Sequence, residues 1–152
     1  MKRILLLFIL LSACMSEATT EAQQSDKEIK MNNYLALFEI PATDLNRAVS
    51  FYEGILDLKI EKMEMPGMEI GVFPYENQAT TGVIMKGEGY SPSADGVCIY
   101  LNGGKDLQII LDKVEQYGGS ILVPKSPHAD GNGFFALFLD SEGNKIGLNS
   151  EA

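Results

Sequence analysis

Two stretches of this chain, 62 residues apart, carry the same pattern. Residues 35–56 run from an apolar strand through Thr43, Asp44 and Leu45 into an amphipathic helix. Residues 97–117 repeat this with a second apolar strand, then Asp106 and Leu107, then a second helix. The same offset sets Gly82-Val83-Ile84-Met85 against Asn144-Lys145-Ile146-Gly147. A doubled module places its site at the seam between the copies.

The first helix starts at Thr43 or Asp44, either of which can cap the free amides of its first turn. Leu45, Ala48, Val49, Tyr52 and Ile55 form one stripe at three- and four-residue spacing, and Gly54 or Asp57 ends it. The second helix takes Asp106 as cap, carries Leu107, Ile110, Leu111, Val114 and Tyr117, and stops at Gly118-Gly119. Strands are predicted over 58–63, 68–73 and 81–86 after the first helix, and over 120–124, 134–140 and 145–149 after the second. Asp140-Ser141-Glu142-Gly143-Asn144 is strong turn chemistry, with Gly143 free to take a positive φ. The order is βαβββ twice. It predicts an α+β fold in which two modules, about 34–88 and 94–150, form side-by-side half-barrels, helices outside, with a concave cup facing inward.

Ahead of this domain, Lys2-Arg3, an apolar run from Ile4 to Leu11 and the small pair Ser12-Ala13 have the layout of a secretory signal, too short for a permanent membrane span. Leu11-Ser12-Ala13-Cys14 resembles the bacterial lipobox, so residues 1–13 are expected to be removed and Cys14 lipidated. The alternative is an ordinary cleaved signal with a chance cysteine. Stable anchoring needs two acyl chains or more, which bacterial lipoproteins carry. With Met15 after the cysteine, the aspartate that retains lipoproteins at an inner membrane is absent. The expected location is therefore the cell envelope, on the outer membrane where there are two. Residues 14–33, rich in Ser, Thr, Glu and Gln, read as a tether whose burial cannot offset its ordering entropy.

Without Lys2 and Arg3 the 12 basic residues fall to 10 against 21 acidic ones, a net charge near −11. Nucleic acid is excluded as a partner, because phosphate neutralisation needs a basic face. The acidity either attracts cationic ligands or serves solubility alone. With Cys14 lipidated, Cys98 has no disulfide partner and reads as a buried small hydrophobe.

The doubled pattern resembles the vicinal oxygen chelate superfamily, which includes glyoxalase I, extradiol dioxygenases and bleomycin-resistance proteins. The resemblance rests on Phe38-Glu39-Ile40-Pro41-Ala42-Thr43-Asp44-Leu45-Asn46-Arg47-Ala48 with Phe51-Tyr52. It rests also on Asp140-Ser141-Glu142-Gly143-Asn144-Lys145-Ile146, with Ser141 where proline is usual. It spans about 34–150 and implies fold more strongly than activity. Metal-dependent members hold a divalent ion with one ligand from each of four strands. Those positions fall here on Leu37, Met85, Val97 and Gly147, none of which suits a hard or borderline cation. The single histidine, His128, rules out a two-histidine triad within one chain. No metal or other cofactor is expected, and the Lewis-acid chemistries of the superfamily fall together.

By strand alternation, residues sharing parity with Leu37 face the cup: Glu39 on the first strand, then Val83 and Met85, Val97, Ile99 and Leu101, and Lys145, Gly147 and Asn149. Glu39, Met85 and Asn149 are the expected ligand contacts. Glu39 in an apolar cup would have a raised pKa and suit a general base or an anchor; a solvated rim position is the alternative. His128, in a loop, is a candidate acid or a surface residue. Tyr90 and Tyr100 are candidates to stack on a ligand, although Tyr100, of opposite parity to Ile99, is expected beneath a helix. Gly87, Gly89 and Tyr90 lie in the hinge between modules. Three functions remain open: a metal-free binding module for a small molecule, a lyase or isomerase using Glu39 as base with His128 as acid, or a structural, partner-binding envelope domain. Pairing of modules between two chains, giving a homodimer, is left open.

Overall fold

A computed structural model describes residues 34–152; the signal segment, Cys14 and the tether lie outside the described residues. The first module comprises β1 (Leu37–Pro41), α1 (Leu45–Leu56), β2 (Glu61–Met65), β3 (Met68–Val72) and β4 (Thr81–Gly87). The second comprises β5 (Ile99–Asn102), α2 (Gln108–Val114), β6 (Ser120–Pro127), β7 (Phe134–Leu139) and β8 (Lys145–Ser150). The predicted βαβββ order therefore holds in both halves.

Each module makes its own four-stranded mixed sheet, in the orders β1-β4-β3-β2 and β5-β8-β7-β6. β1 runs parallel to β4 and β5 parallel to β8, as a helical crossover demands, while the other pairs are antiparallel. The half-barrel pair expected from the sequence is corrected here. Both sheets are open, neither curls strongly, and β1 and β5 are edge strands of separate sheets. The reason lies in the ladders: β1 to β4 pair in unbroken register, without the bulges that bend a sheet toward closure. The register shifts of the second sheet are confined to β6 and β7.

Asp44 caps α1, its Oδ1 accepting from the Arg47 N–H at 3.1 Å, and Asp57 closes it in the left-handed region at φ 52°. α2 has seven residues and is capped at Leu107, which offers no side-chain cap, rather than at the expected Asp106, whose side chain accepts from the Gln108 N–H at 2.9 Å. Tyr117 lies past its end, and its ring covers Gly54 of α1. The helices and the helix-facing sides of both sheets share one core, including Ile40, Ile84, Phe51, Leu107, Phe138 and Leu148. A chain of aromatic contacts crosses it. Phe38 meets Phe73 at 6.0 Å, Phe73 meets Tyr52 at 5.4 Å, Tyr52 meets Phe51 at 5.1 Å, and Phe51 meets Phe138 of the second module at 6.0 Å.

The β7–β8 turn locks the modules together. Gly143, at φ 95°, turns the chain so that Asp140, Glu142 and Asn144 all reach inward. The Glu142 side chain is fully covered and accepts from the N–H groups of Thr43 and Asp44 at 2.8 and 3.1 Å and from the Thr43 hydroxyl at 2.8 Å. Arg47 adds a fork, Nε at 2.7 Å and Nη2 at 3.1 Å. The second module thus supplies a carboxylate to the positive end of the first module's helix. Asp140 accepts from the Tyr52 hydroxyl at 2.7 Å, and Asn144 donates to the Pro41 carbonyl at 2.8 Å. Burial raises the Tyr52 pKa well above its ordinary value, and the Asp140 charge adds to this.

Burial acts to raise the Glu142 pKa, but the bonds from Arg47, Thr43 and Asp44 outweigh it and hold the carboxyl below its ordinary value. A carboxylate of this kind contributes its full stability above the unfolded-state pKa of about 4.3 and loses it as pH falls through the lower folded value. Glu142→Ala is expected to cost about 2 kcal/mol at neutral pH, because two helix amides and a guanidinium lose their acceptor. In urea denaturation, the gap between variant and wild type should close as the buffer is acidified below the folded pKa.

Candidate functional site

The faces of the sheets turned away from the helices were the expected site. On the first sheet this face carries Leu37 and Glu39 of β1, Val83 and Met85 of β4, and Ile70 of β3, paired across the strands. On the second sheet the parity differs from the expectation. Ile99 pairs with buried Ile146 and Leu101 with buried Leu148, and Leu101 packs on the helix-side core. Tyr100, expected beneath a helix, lies on the opposite face: it pairs with Gly147, and its ring fills the space where a Gly147 side chain would stand.

The cause is a one-residue slip inside the repeat. The Ala42 N–H donates to the Met85 carbonyl at 2.8 Å, and the Gly103 N–H donates to the Asn149 carbonyl at 2.7 Å. Ala42 therefore corresponds to Gly103 and Met85 to Asn149, whereas Asp44 and Asp106, just ahead of the helices, keep the 62-residue offset. One extra residue between β5 and α2 absorbs the difference, and a slip of one residue exchanges the two faces of a strand.

Glu39 is exposed rather than enclosed in an apolar cup. It accepts from the Tyr90 hydroxyl at 3.2 Å, and burial together with this carboxylate raises the Tyr90 pKa. Glu39 lines a depression of 190 Å³ with Asp95, Ser91, Asn144 and Lys145, below the range of drug-sized ligand pockets. Met85 is buried outside the main core cluster, 5% exposed, and presents little surface to a ligand. Asn149 is exposed and lines a different depression with Tyr100, Asn102 and Lys105. His128 joins Asn149, its Nε2 lying 2.7 Å from Asn149 Oδ1 and its ring 5.2 Å from Phe135. The structure thus pairs His128 with Asn149 and Glu39 with Tyr90, in two separate places. Cys98 is half-buried; burial pushes its thiol pKa up, against the opposing pull of Lys145 and the Gly147 amide.

A larger depression, of 720 Å³ and unsignalled by strand parity, lies where the seam opens on the helix side. Phe38, Leu58 and Phe73 wall it from the first module and Ile99, Leu101 and Ile110 from the second. Thr81 and Asn102 stand among its lining. The missing clue was the parity of β5, which brings Leu101 to this side.

Two βαβββ units, each with a parallel first and last strand, now meet a decisive comparison: residues 34–148 match the sequence profile of the Glyoxalase/Bleomycin resistance protein/Dioxygenase superfamily. The chain belongs to this superfamily. Among solved structures, a glyoxalase I mutant from Zea mays is similar at 23% identity, over 76% of this chain and 46% of that one, with a TM-score of 0.59. The chain thus spans about half the length of the maize protein. A glyoxalase/bleomycin resistance protein from Albidiferax ferrireducens aligns over 79% of this chain and 100% of its own at 15% identity and TM-score 0.64. A genomically encoded fosfomycin resistance protein from Listeria monocytogenes aligns over 80% and 96% at 17% identity and TM-score 0.59. No curated protein matches the sequence significantly.

The divalent ion held by metal-dependent members of the superfamily does not fit the residues present. Leu37 stands beside Thr81 and Met85 beside Pro41, about 13 Å apart along the sheet at ~3.3 Å per residue. Val97 is 94% exposed, and Gly147 lies under Tyr100. Among the described residues, no group of three or more His, Cys, Asp and Glu converges as metal ligands would.

The Glu39–Tyr90 bond can be checked directly. In Glu39→Gln the Tyr90 pKa is expected to fall toward the ordinary value of about 10 yet stay above it, since burial is the larger cause. An NMR titration of the tyrosine ring carbons reads this, and an unmoved Tyr90 would show that the bond does not form in solution.

Proposed function

We propose that this domain is a small-molecule-binding member of the superfamily that works without the divalent ion, held at the cell envelope by a lipid on Cys14. The observation that carries the reading is the apolar depression at the seam. Its 720 Å³ lies within the range of small-molecule pockets, and its aromatic and aliphatic walls come from both modules. Polar groups at its lining keep capacity to orient a mostly apolar ligand: the Thr81 hydroxyl, which donates to the Phe73 carbonyl, can still accept, and the Asn102 amide, whose Oδ1 accepts from Gly104, can still donate. The enzyme reading through Glu39 has less support. That carboxylate is exposed and paired with Tyr90, and His128 is engaged with Asn149.

A neutral apolar fluorophore, N-phenylnaphthylamine, tests the pocket. It is expected to bind with one site per chain, and Leu58→Trp, which fills the depression, should weaken binding about tenfold, equivalent to ~1.4 kcal/mol. Glu39→Gln should leave affinity within about twofold, well under that 1.4 kcal/mol. An unaffected Leu58→Trp variant would move the ligand site elsewhere. For the anchor, cells fed a labelled fatty acid should label the wild-type chain and not Cys14→Ser; equal labelling of both would remove the lipid from this reading.

A further inference from the structure

The β2–β3 hairpin carries a group of side chains that the seam depression does not use. Met63, Met65 and Met68 lie in the run Met63-Glu64-Met65-Pro66-Gly67-Met68. Pro66 and Gly67, the latter at φ 80°, make the two-residue turn, so that Met65 pairs directly with Met68 and Met63 with Ile70. Alternation puts Met63 and Met65 on one face, and cross-strand pairing puts Met68 there with them. The position of Met68 agrees: its Cγ lies 3.0 Å from where a Gly87 side chain would begin, on the side that Met85 also faces.

Directly opposed Cβ atoms on such a hairpin stand about 5 Å apart and diagonal ones about 7–8 Å. Three flexible thioethers can therefore bring their sulfurs to one point. Met63 and Met65 are 48% and 52% exposed, on a strand with every residue exposed. Met65 and Met68 share a depression of 340 Å³ with Glu64, Glu69 and Lys86. Long apolar side chains on an exposed edge are an aggregation liability that edge strands ordinarily replace with charge. A thioether is also a neutral, soft donor that selects Cu(I)-type ions over Mg(II) and Ca(II). Exposed Glu61 and Glu64 outnumber the one cation of the same strand, Lys62, which reaches Asn46 at 2.9 Å, and leave a net negative charge beside the thioethers, while Glu69 is paired with Lys86.

We propose that Met63, Met65 and Met68 form a three-thioether site for a soft monovalent cation of the Cu(I) or Ag(I) class. The ion binds without change of oxidation state, and no bond other than the sulfur–metal bonds is made or broken. The site is independent of the seam depression, so either can fail without the other.

Silver ion is the probe, added to the full chain in a Cys14→Ser, Cys98→Ser background so that no thiol competes. One equivalent is expected to shift the ε-methyl NMR signals of Met63, Met65 and Met68 together and to leave that of buried Met85 in place. Changing all three to Leu, a volume-conserving swap at largely exposed positions, should weaken silver binding at least about tenfold, or ~1.4 kcal/mol. Shifts confined to other methionines in the parent would overturn the proposal, whatever the variant's folding. So would a folded triple variant that binds silver within about twofold of the parent.

Discussion

The turn from Asp140 to Asn144 is the contact on which the rest of the structure depends. Its Glu142 carboxylate satisfies the amides of Thr43 and Asp44, which the helix itself leaves without partners, and takes the fork of Arg47. Asp140 and Asn144 extend the same grip to Tyr52 and Pro41. One five-residue turn thus fixes the start of α1, the end of β1 and the approach of the second sheet. No ladder joins β1 to β5, so this polar contact and the shared core set the geometry of the seam.

Much of the fold was legible in the residues. Asp44, the apolar stripe of α1 and the stop at Asp57 follow from local chemistry, and the structure places them as their side chains require. The doubled βαβββ order followed from repetition. Sheet curvature did not, because closure depends on bulges and strand-to-strand angles that no single strand's sequence encodes. The parity of β5 was lost for a different reason. The even offset of 62 is true of Asp44 and Asp106 ahead of the helices, but an extra residue before α2 hides in a Gly103-Gly104 loop that has no side chains to align. A nearby clue was present: Gly147 beside a position that needs an aromatic ring pairs naturally with Tyr100.

The candidate site was legible by exclusion more than by design. Counting histidines and placing Leu37, Met85, Val97 and Gly147 already left no donor set for a divalent ion, and the strand register separates those positions further. Glu39 drew notice as a carboxylate among apolar neighbours, yet exposure is a tertiary property that sequence parity cannot supply. Glu142 escaped notice because a glutamate in a turn reads as solvated surface. The covalent neighbourhood gives no hint that Arg47, 95 positions earlier, reaches it. Met85 and Asn149, singled out separately, prove to occupy matching places in the two copies, each with its carbonyl bonded by the first amide after the opening strand.

The aromatic chain from Phe38 through Phe73, Tyr52 and Phe51 to Phe138 has a consequence for the doubled unit as a whole. Its first four rings belong to one copy and its last to the other. Cutting the protein at its internal joint would strip the covering from Phe51 on one piece and from Phe138 on the other. Each half would then carry a large aromatic ring of the shared core without its cover. A substitution at Phe51 or Phe138 therefore disturbs the packing of both copies at once.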